Sequence, residues 1–183
     1  MAWMRTHTGR KFSPLDPRLE DINILDIARG LATEARFAGQ TDGVPYSVAQ
    51  HSVYVARLCL EYGDDNDGRA GLLHDASEAY MGDLIAPIKH DPRMECFRSA
   101  EKVLQNAIYE RFGLEPKKTD IVALSDLAIL HTEMKCLTPW EDYQEDVVIQ
   151  GLEIVPWSFY RAEKEFIDMF VSLFPEMSEC CGT

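Results

Sequence analysis

From Ile22 to Phe174 the apolar residues recur mainly three and four positions apart, and stretches that alternate as a strand does are nearly absent. This spacing predicts an all-α fold class, with six or so helices around one core. Ile22, Leu25, Ile27, Ala28 and Leu31 share one face of a first helix over residues 21–35, with Asp21 as its cap. A second helix begins near Ser47, carries Val48, His51, Val55, Leu58 and Cys59 on a broad face, and stops at Tyr62-Gly63. The acidic residues 64–68 read as a loop. Further helices are predicted over residues 69–81, 92–112 and 118–137, punctuated by Gly82, Pro87, Gly113 and Pro139. An amphipathic C-terminal helix carries Phe166, Phe170 and Phe174, with Trp157 ahead of it, as core or subunit interface. Residues 146–154 are the one ambiguous stretch. Residues 1–20 form an extended arm, 21–175 the helical domain and 176–183 a short frayed tail.

With 46% hydrophobic residues the chain can bury a real core. Its 18 basic and 31 acidic residues leave a net charge of −13, which disfavours stable nucleic-acid binding. No run reaches the length of a membrane-spanning helix, and the first five residues have no apolar signal region. The five cysteines are odd in number and mostly scattered, as in a reduced, cytoplasmic protein.

Polar groups inside the apolar runs carry the chemistry. His74-Asp75 follows the apolar lead-in Ala70-Gly71-Leu72-Leu73, His51 falls on the core face of the second helix, and Asp126 interrupts an apolar run. Each alone is compatible with a hydrogen-bonded structural role. Together they are two imidazoles and two carboxylates from three helices, a donor set suited to one divalent cation. Glu78 lies four residues after His74, on the same face if the helix is continuous, where it would orient or deprotonate an attacking water. Asp83 sits just past Gly82 and reads either as a site residue or as a helix cap. Arg36 and Lys89 are the candidate anion contacts, and Phe37 either stacks on a ligand or fills the core. His131 and Glu133 read as structural more readily than as a second metal site. The run Asp64 to Asp67 lacks the later acid of a calcium loop.

The ordered set His51, His74, Asp75 and Asp126, with the stretch Leu73-His74-Asp75-Ala76-Ser77-Glu78 and Gly82-Asp83, resembles the HD-domain metal-dependent phosphohydrolases. It is similar in particular to small bacterial 5′-deoxynucleotidases. The arm Thr8 to Leu15 and the segments Arg36-Phe37-Ala38-Gly39-Gln40 and Tyr46 to Ser52 resemble short phage-type members, some of them dATP triphosphohydrolases. The likeness covers about residues 21–137. It implies a helical bundle holding a divalent ion (Co²⁺, Mn²⁺, Zn²⁺ or Mg²⁺) on His51, His74, Asp75 and Asp126. Glu78 and Asp83 would be catalytic, and Arg36, Phe37, Lys89 and Ile22 would meet the substrate. The reaction implied is release of tripolyphosphate from a deoxynucleoside triphosphate with a purine preference, or of orthophosphate from a monophosphate. The resemblance further implies a homo-oligomer in the cytoplasm, the host's if the chain is phage-encoded. A helical module that senses a nucleotide without turnover is the competing reading.

Overall fold

The computed structural model describes residues 3–177, so the expected frayed tail lies largely outside the described residues, and Cys180 and Cys181 wholly so. In chain order, an antiparallel hairpin pairs β1 (Met4–Arg5) with β2 (Lys11–Phe12). The helices are α1 (Ile24–Thr33), α2 (Val48–Tyr62), α3 (Asp65–Leu73), α4 (Glu78–Met81), α5 (Ala86–Lys89), α6 (Glu95–Arg111), α7 (Asp120–Leu137) and α8 (Phe159–Leu173). The fold is all-α apart from the hairpin. α2 runs through the centre and packs on α1, α3, α7 and α8. No helix among the described residues is long and apolar enough to cross a membrane.

Capping chemistry explains where several helices begin. Ser47, Thr119 and Ser158 each accept a hydrogen bond from a first-turn N–H of α2, α7 and α8. α1 starts later than expected: Asp21 lies in a 3-10 turn (Leu19–Asp21), and Asn23 caps the helix by accepting from the Leu25 N–H at 2.8 Å. α3 starts earlier than expected. The acids read as a loop form a reciprocal cap, in which Asp64 accepts from the Asn66 and Asp67 N–H groups while Asp67 accepts from the Asp64 N–H. Residues 92–94 form a 3-10 turn ahead of α6, and residues 146–154 form turns with no strand.

The expected helix over residues 69–81 is broken in the middle. An uninterrupted helix would join the Ser77 N–H to the Leu73 carbonyl. Instead the Gln105 amide of α6 enters the gap. It accepts from the Ser77 N–H at 3.0 Å and donates to the Leu73 carbonyl at 2.7 Å. The backbone turns over His74–Ser77 and restarts as α4.

The arm is tied down. The Thr8 N–H and hydroxyl donate to Asp26 on α1 at 2.7 and 2.9 Å, and the buried Phe12 ring stacks on Tyr80 at 4.2 Å. Strand pairing there was not expected; Gly9, at φ 81°, makes the turn. Phe112, Phe166, Phe170 and Phe174 are buried with Leu31, Val53 and Leu72, so the aromatic C-terminal helix is core. Each such side chain contributes about 1.5–3 kcal/mol by leaving water. Trp157 belongs to the same core, its backbone N–H donating to Gln50 Oε1 at 2.7 Å. Ile22 does so too, at 1% exposure, which corrects its assignment to the substrate pocket.

Gly30 is where α1 meets α4. A Cβ there would lie 2.5 Å from the Ala79 carbonyl oxygen. Gly30→Ala is expected to cost about 1–3 kcal/mol, because two helix backbones cannot both give way. Urea denaturation reads this directly, and a variant as stable as the parent would show that α4 floats on α1.

Candidate metal centre and adjoining cavities

Three backbone elements converge on one buried point. α2 supplies His51, the turn after α3 supplies His74 and Asp75, and α7 supplies Asp126 and, seven residues on along the same face, Glu133. Ligand atoms of His51, His74 and Asp126 all lie within 4.8 Å of one another. His51 Nε2 is 3.3 Å from His74 Nε2 and 3.2 Å from Asp126 Oδ1. Asp75 Oδ2 approaches His74 Nε2 to 3.1 Å and His51 Nε2 to 3.8 Å. The four expected ligands are thus brought together.

Hydrogen bonding on the far side of each ring decides what faces inward. His74 Nδ1 lies 2.7 Å from the Gly71 carbonyl, which can only accept, so Nδ1 carries the proton. His51 Nδ1 lies 2.7 Å from the Glu133 carboxylate, held below the ordinary carboxylate range, so it too donates. When neutral, both rings therefore turn an Nε2 lone pair toward the other and toward two carboxylates. Four acceptor groups with no donor between them require a positive charge at their centre. A separation of 3.3 Å also suits two nitrogens that each bind one ion at about 2.0–2.1 Å. The donor set fits a divalent metal.

The ionisation pattern follows from this demand. Burial disfavours a charged His74, but Asp75 and Asp126 outweigh it and hold the ring up to about 10, so that a proton takes the cation's place. Burial would push Asp75 and Asp126 up, yet the two imidazoles pull both well below the usual carboxylate range. Glu133 is fully buried. Burial raises it, and the Arg36 guanidinium (Nε to Oε2, 3.0 Å) and His51 more than offset this.

Glu133 was set aside in the sequence as a structural neighbour of His131. It is the second-layer carboxylate that fixes the His51 tautomer. Its signal was present: a carboxylate two turns after Asp126 on the same helix face. His131 accepts from the Gln144 N–H at 3.0 Å and is structural.

A cavity of about 650 Å³ opens on the centre, lined by Arg36, Phe37, Asp75, Glu78, Asp83, Lys89 and Asp126 among others. Five of the residues expected around the substrate or in catalysis are therefore here, and Ile22 is not. Phe37 has φ 56°, in the left-handed region, and packs edge-on against Trp140 at 5.7 Å, a partner the sequence reading missed. Residues 34–36 lie antiparallel to 46–48 through the Arg36 N–H to Tyr46 O and Val48 N–H to Glu34 O bonds, which sets Arg36 beside α2. Arg36 is already engaged: Nε goes to Glu133, and Nη1 lies 3.8 Å from Asp75. Lys89 bonds Glu101 at 2.8 Å and faces Glu78 at 3.5 Å. Asp83 caps no helix, since Ile85 precedes α5, and its N–H donates to Glu34 Oε1 at 3.0 Å.

Glu78 does not reach the site by helical continuity from His74, because the helix breaks between them; α4 restarts and delivers it. It is buried, with Oε2 unpartnered. Burial, helped by Asp75 and Asp83 against Lys89, pushes it up to about 9.

Two predictions follow from this geometry. Glu133→Gln keeps the shape but removes the charge that anchors His51, so divalent-metal affinity should fall about 10–100-fold, measured by competition with a chromophoric chelator. The second concerns pH. Folded Glu78 keeps its proton to about 9, whereas the unfolded chain releases it near 4.5, so its stabilisation is intact below 4.5 and declines as pH rises toward 9. Glu78→Gln in chelator-treated protein removes the decline. The variant should melt at least about 2–4 °C above the parent near pH 8, equivalent to about 1 kcal/mol. The gap should close toward pH 4.5, and a gap that ignores pH would contradict the assignment.

No family model matches the chain. An uncharacterized protein of Rhodobacter capsulatus is 43% identical over 117 residues, 62% of this chain and 59% of that protein's length. The uncharacterized protein YfdR of Escherichia coli is 30% identical over 185 aligned residues, 98% of this chain and 99% of YfdR. With end-to-end similarity at that level, the chain belongs to the same protein family as YfdR.

Proposed function

We propose that the chain is a metal-dependent phosphohydrolase of the HD type, acting at the 5′-phosphate of deoxynucleotides. The observation that carries this reading is the pair of imidazole lone pairs 3.3 Å apart between two carboxylates, beside a buried carboxyl with a free oxygen. A divalent ion, when bound, supplies Lewis acidity toward a phosphoryl oxygen and acidifies water. The chain's own groups do the rest. A cation held by Asp75 would remove one of the charges that keep Glu78 protonated. The ionised carboxylate would then accept the proton of a water that attacks the phosphorus; the bond from phosphorus to the 5′ oxygen breaks, and that oxygen takes a proton from solvent to leave as the nucleoside hydroxyl. Asp83, held through its N–H by Glu34, lines the same cavity beside Glu78. Arg36 presents its Nη groups from the cavity wall, and Phe37 with Trp140 offers an aromatic surface for a base.

The preferred reaction is hydrolysis of a deoxynucleoside triphosphate of the dATP type to deoxynucleoside and tripolyphosphate. Release of orthophosphate from a deoxynucleoside monophosphate uses the same bond cleavage and is the second reading. A sensor without turnover would have no use for an unpartnered buried Glu78.

Incubation with each dNTP and dNMP plus Mn²⁺ or Co²⁺, with identification of the phosphate product, separates the two reactions. Glu78→Ala should lower kcat by about 10²–10⁴-fold while metal content is retained. Intact deoxynucleotides under all metals, or an undiminished rate in the variant, would remove the enzyme reading.

A further inference from the structure

A second cavity, of about 280 Å³, lies along α6 and the start of α7. It meets the larger one at Asp75, Glu78 and Lys89 and shares no other lining residue with it. The two differ in charge. The larger is lined by Arg36 and Lys89 against Asp75, Glu78, Asp83, Asp126 and Asp142, two basic and five acidic groups. The smaller is lined by Lys89, Arg98, Lys102 and Lys118 against Asp75, Glu78 and Glu101, four basic and three acidic. In a chain of net charge −13, the smaller cleft is where a polyanion is tolerated beside the metal ligands.

We propose that this cleft seats the polyphosphate tail of a nucleoside triphosphate, while the nucleoside occupies the larger cavity against Phe37 and Trp140. This rests on the phosphohydrolase reading and names the triphosphate as its substrate class. The residues where the cavities meet would then flank the phosphorus under attack. Lys118 bridges cleft and centre, with Nζ 2.6 Å from Asp126 Oδ2 while Asp126 Oδ1 faces the imidazoles. Lys102 is exposed and has no ion-pair partner among the described residues, so its charge is available to a ligand. Arg98 shapes the wall by donating to the Lys89 and Asp91 carbonyls at 2.6 and 2.9 Å. A monophosphate would leave Lys102 and Lys118 unused.

The test is calorimetric titration of inorganic tripolyphosphate and of orthophosphate into the chelator-treated full chain at low salt. Tripolyphosphate should bind about tenfold tighter than orthophosphate, and Lys102→Glu should weaken it about fivefold or more. Lys164→Glu, on the distant α8 surface, makes the same change in net charge and should shift affinity less than about twofold. Equal affinity for the two anions, or equal effects of the two substitutions, overturns the proposal. Deoxynucleotide hydrolysis without a Lys102 effect removes the cleft assignment alone. Tripolyphosphate binding in the cleft without hydrolysis of any deoxynucleotide removes the phosphohydrolase reading alone.

Discussion

Two imidazoles with their outer protons already committed set the character of this molecule. The Gly71 carbonyl takes the His74 Nδ1 proton and the Glu133 carboxylate takes that of His51. What remains between the rings is electron density from two nitrogens and two carboxylates. A protein interior does not hold such a cluster without a counter-charge. The metal-free chain meets the demand by keeping His74 protonated, and a divalent ion meets it better because it accepts every donor at once. Glu133 and Arg36 extend the same logic outward, since a buried carboxylate that holds a ring in place needs its own cation.

Backbone geometry serves this cluster at a cost in regular structure. Gln105 separates the Ser77 N–H from the Leu73 carbonyl and so turns the chain at the residues that carry His74 and Asp75. An unbroken helix would have sent Glu78 along with the ligands, toward the same point. The break lets α4 pack on Gly30 of α1 and brings Glu78 to the wall where the two cavities meet. The Ser77 N–H and the Leu73 carbonyl both keep partners, because the amide supplies one donor and one acceptor where the helix lost one of each.

The acidic composition makes the placement of cations informative. Arg36, Lys89 and Lys118 face Glu133, Glu78 and Asp126 respectively, so their charge partly offsets the cluster. Lys102 does not, and it stands at the mouth of the smaller cleft. The proposed triphosphate seat takes its basis from this difference between the two flanks of the centre.

The helical periods, the helix start near Ser47, the stop at Gly82 and the donor set His51, His74, Asp75 and Asp126 were legible in the sequence, because apolar spacing and residue chemistry are local properties. The C-terminal phenylalanines read as core or subunit interface, and the structure places Phe166, Phe170 and Phe174 in the core. The helix break at His74, the part played by Glu133 and the Phe37–Trp140 pair were not legible. Each depends on a group far away in the chain: Gln105 lies 28 residues from Ser77, and Glu133 lies 82 from His51. Sequence by itself determined which side chains were able to bind a cation. Tertiary structure decided which nitrogen of each ring faces inward, because that choice is made by whichever acceptor sits behind it.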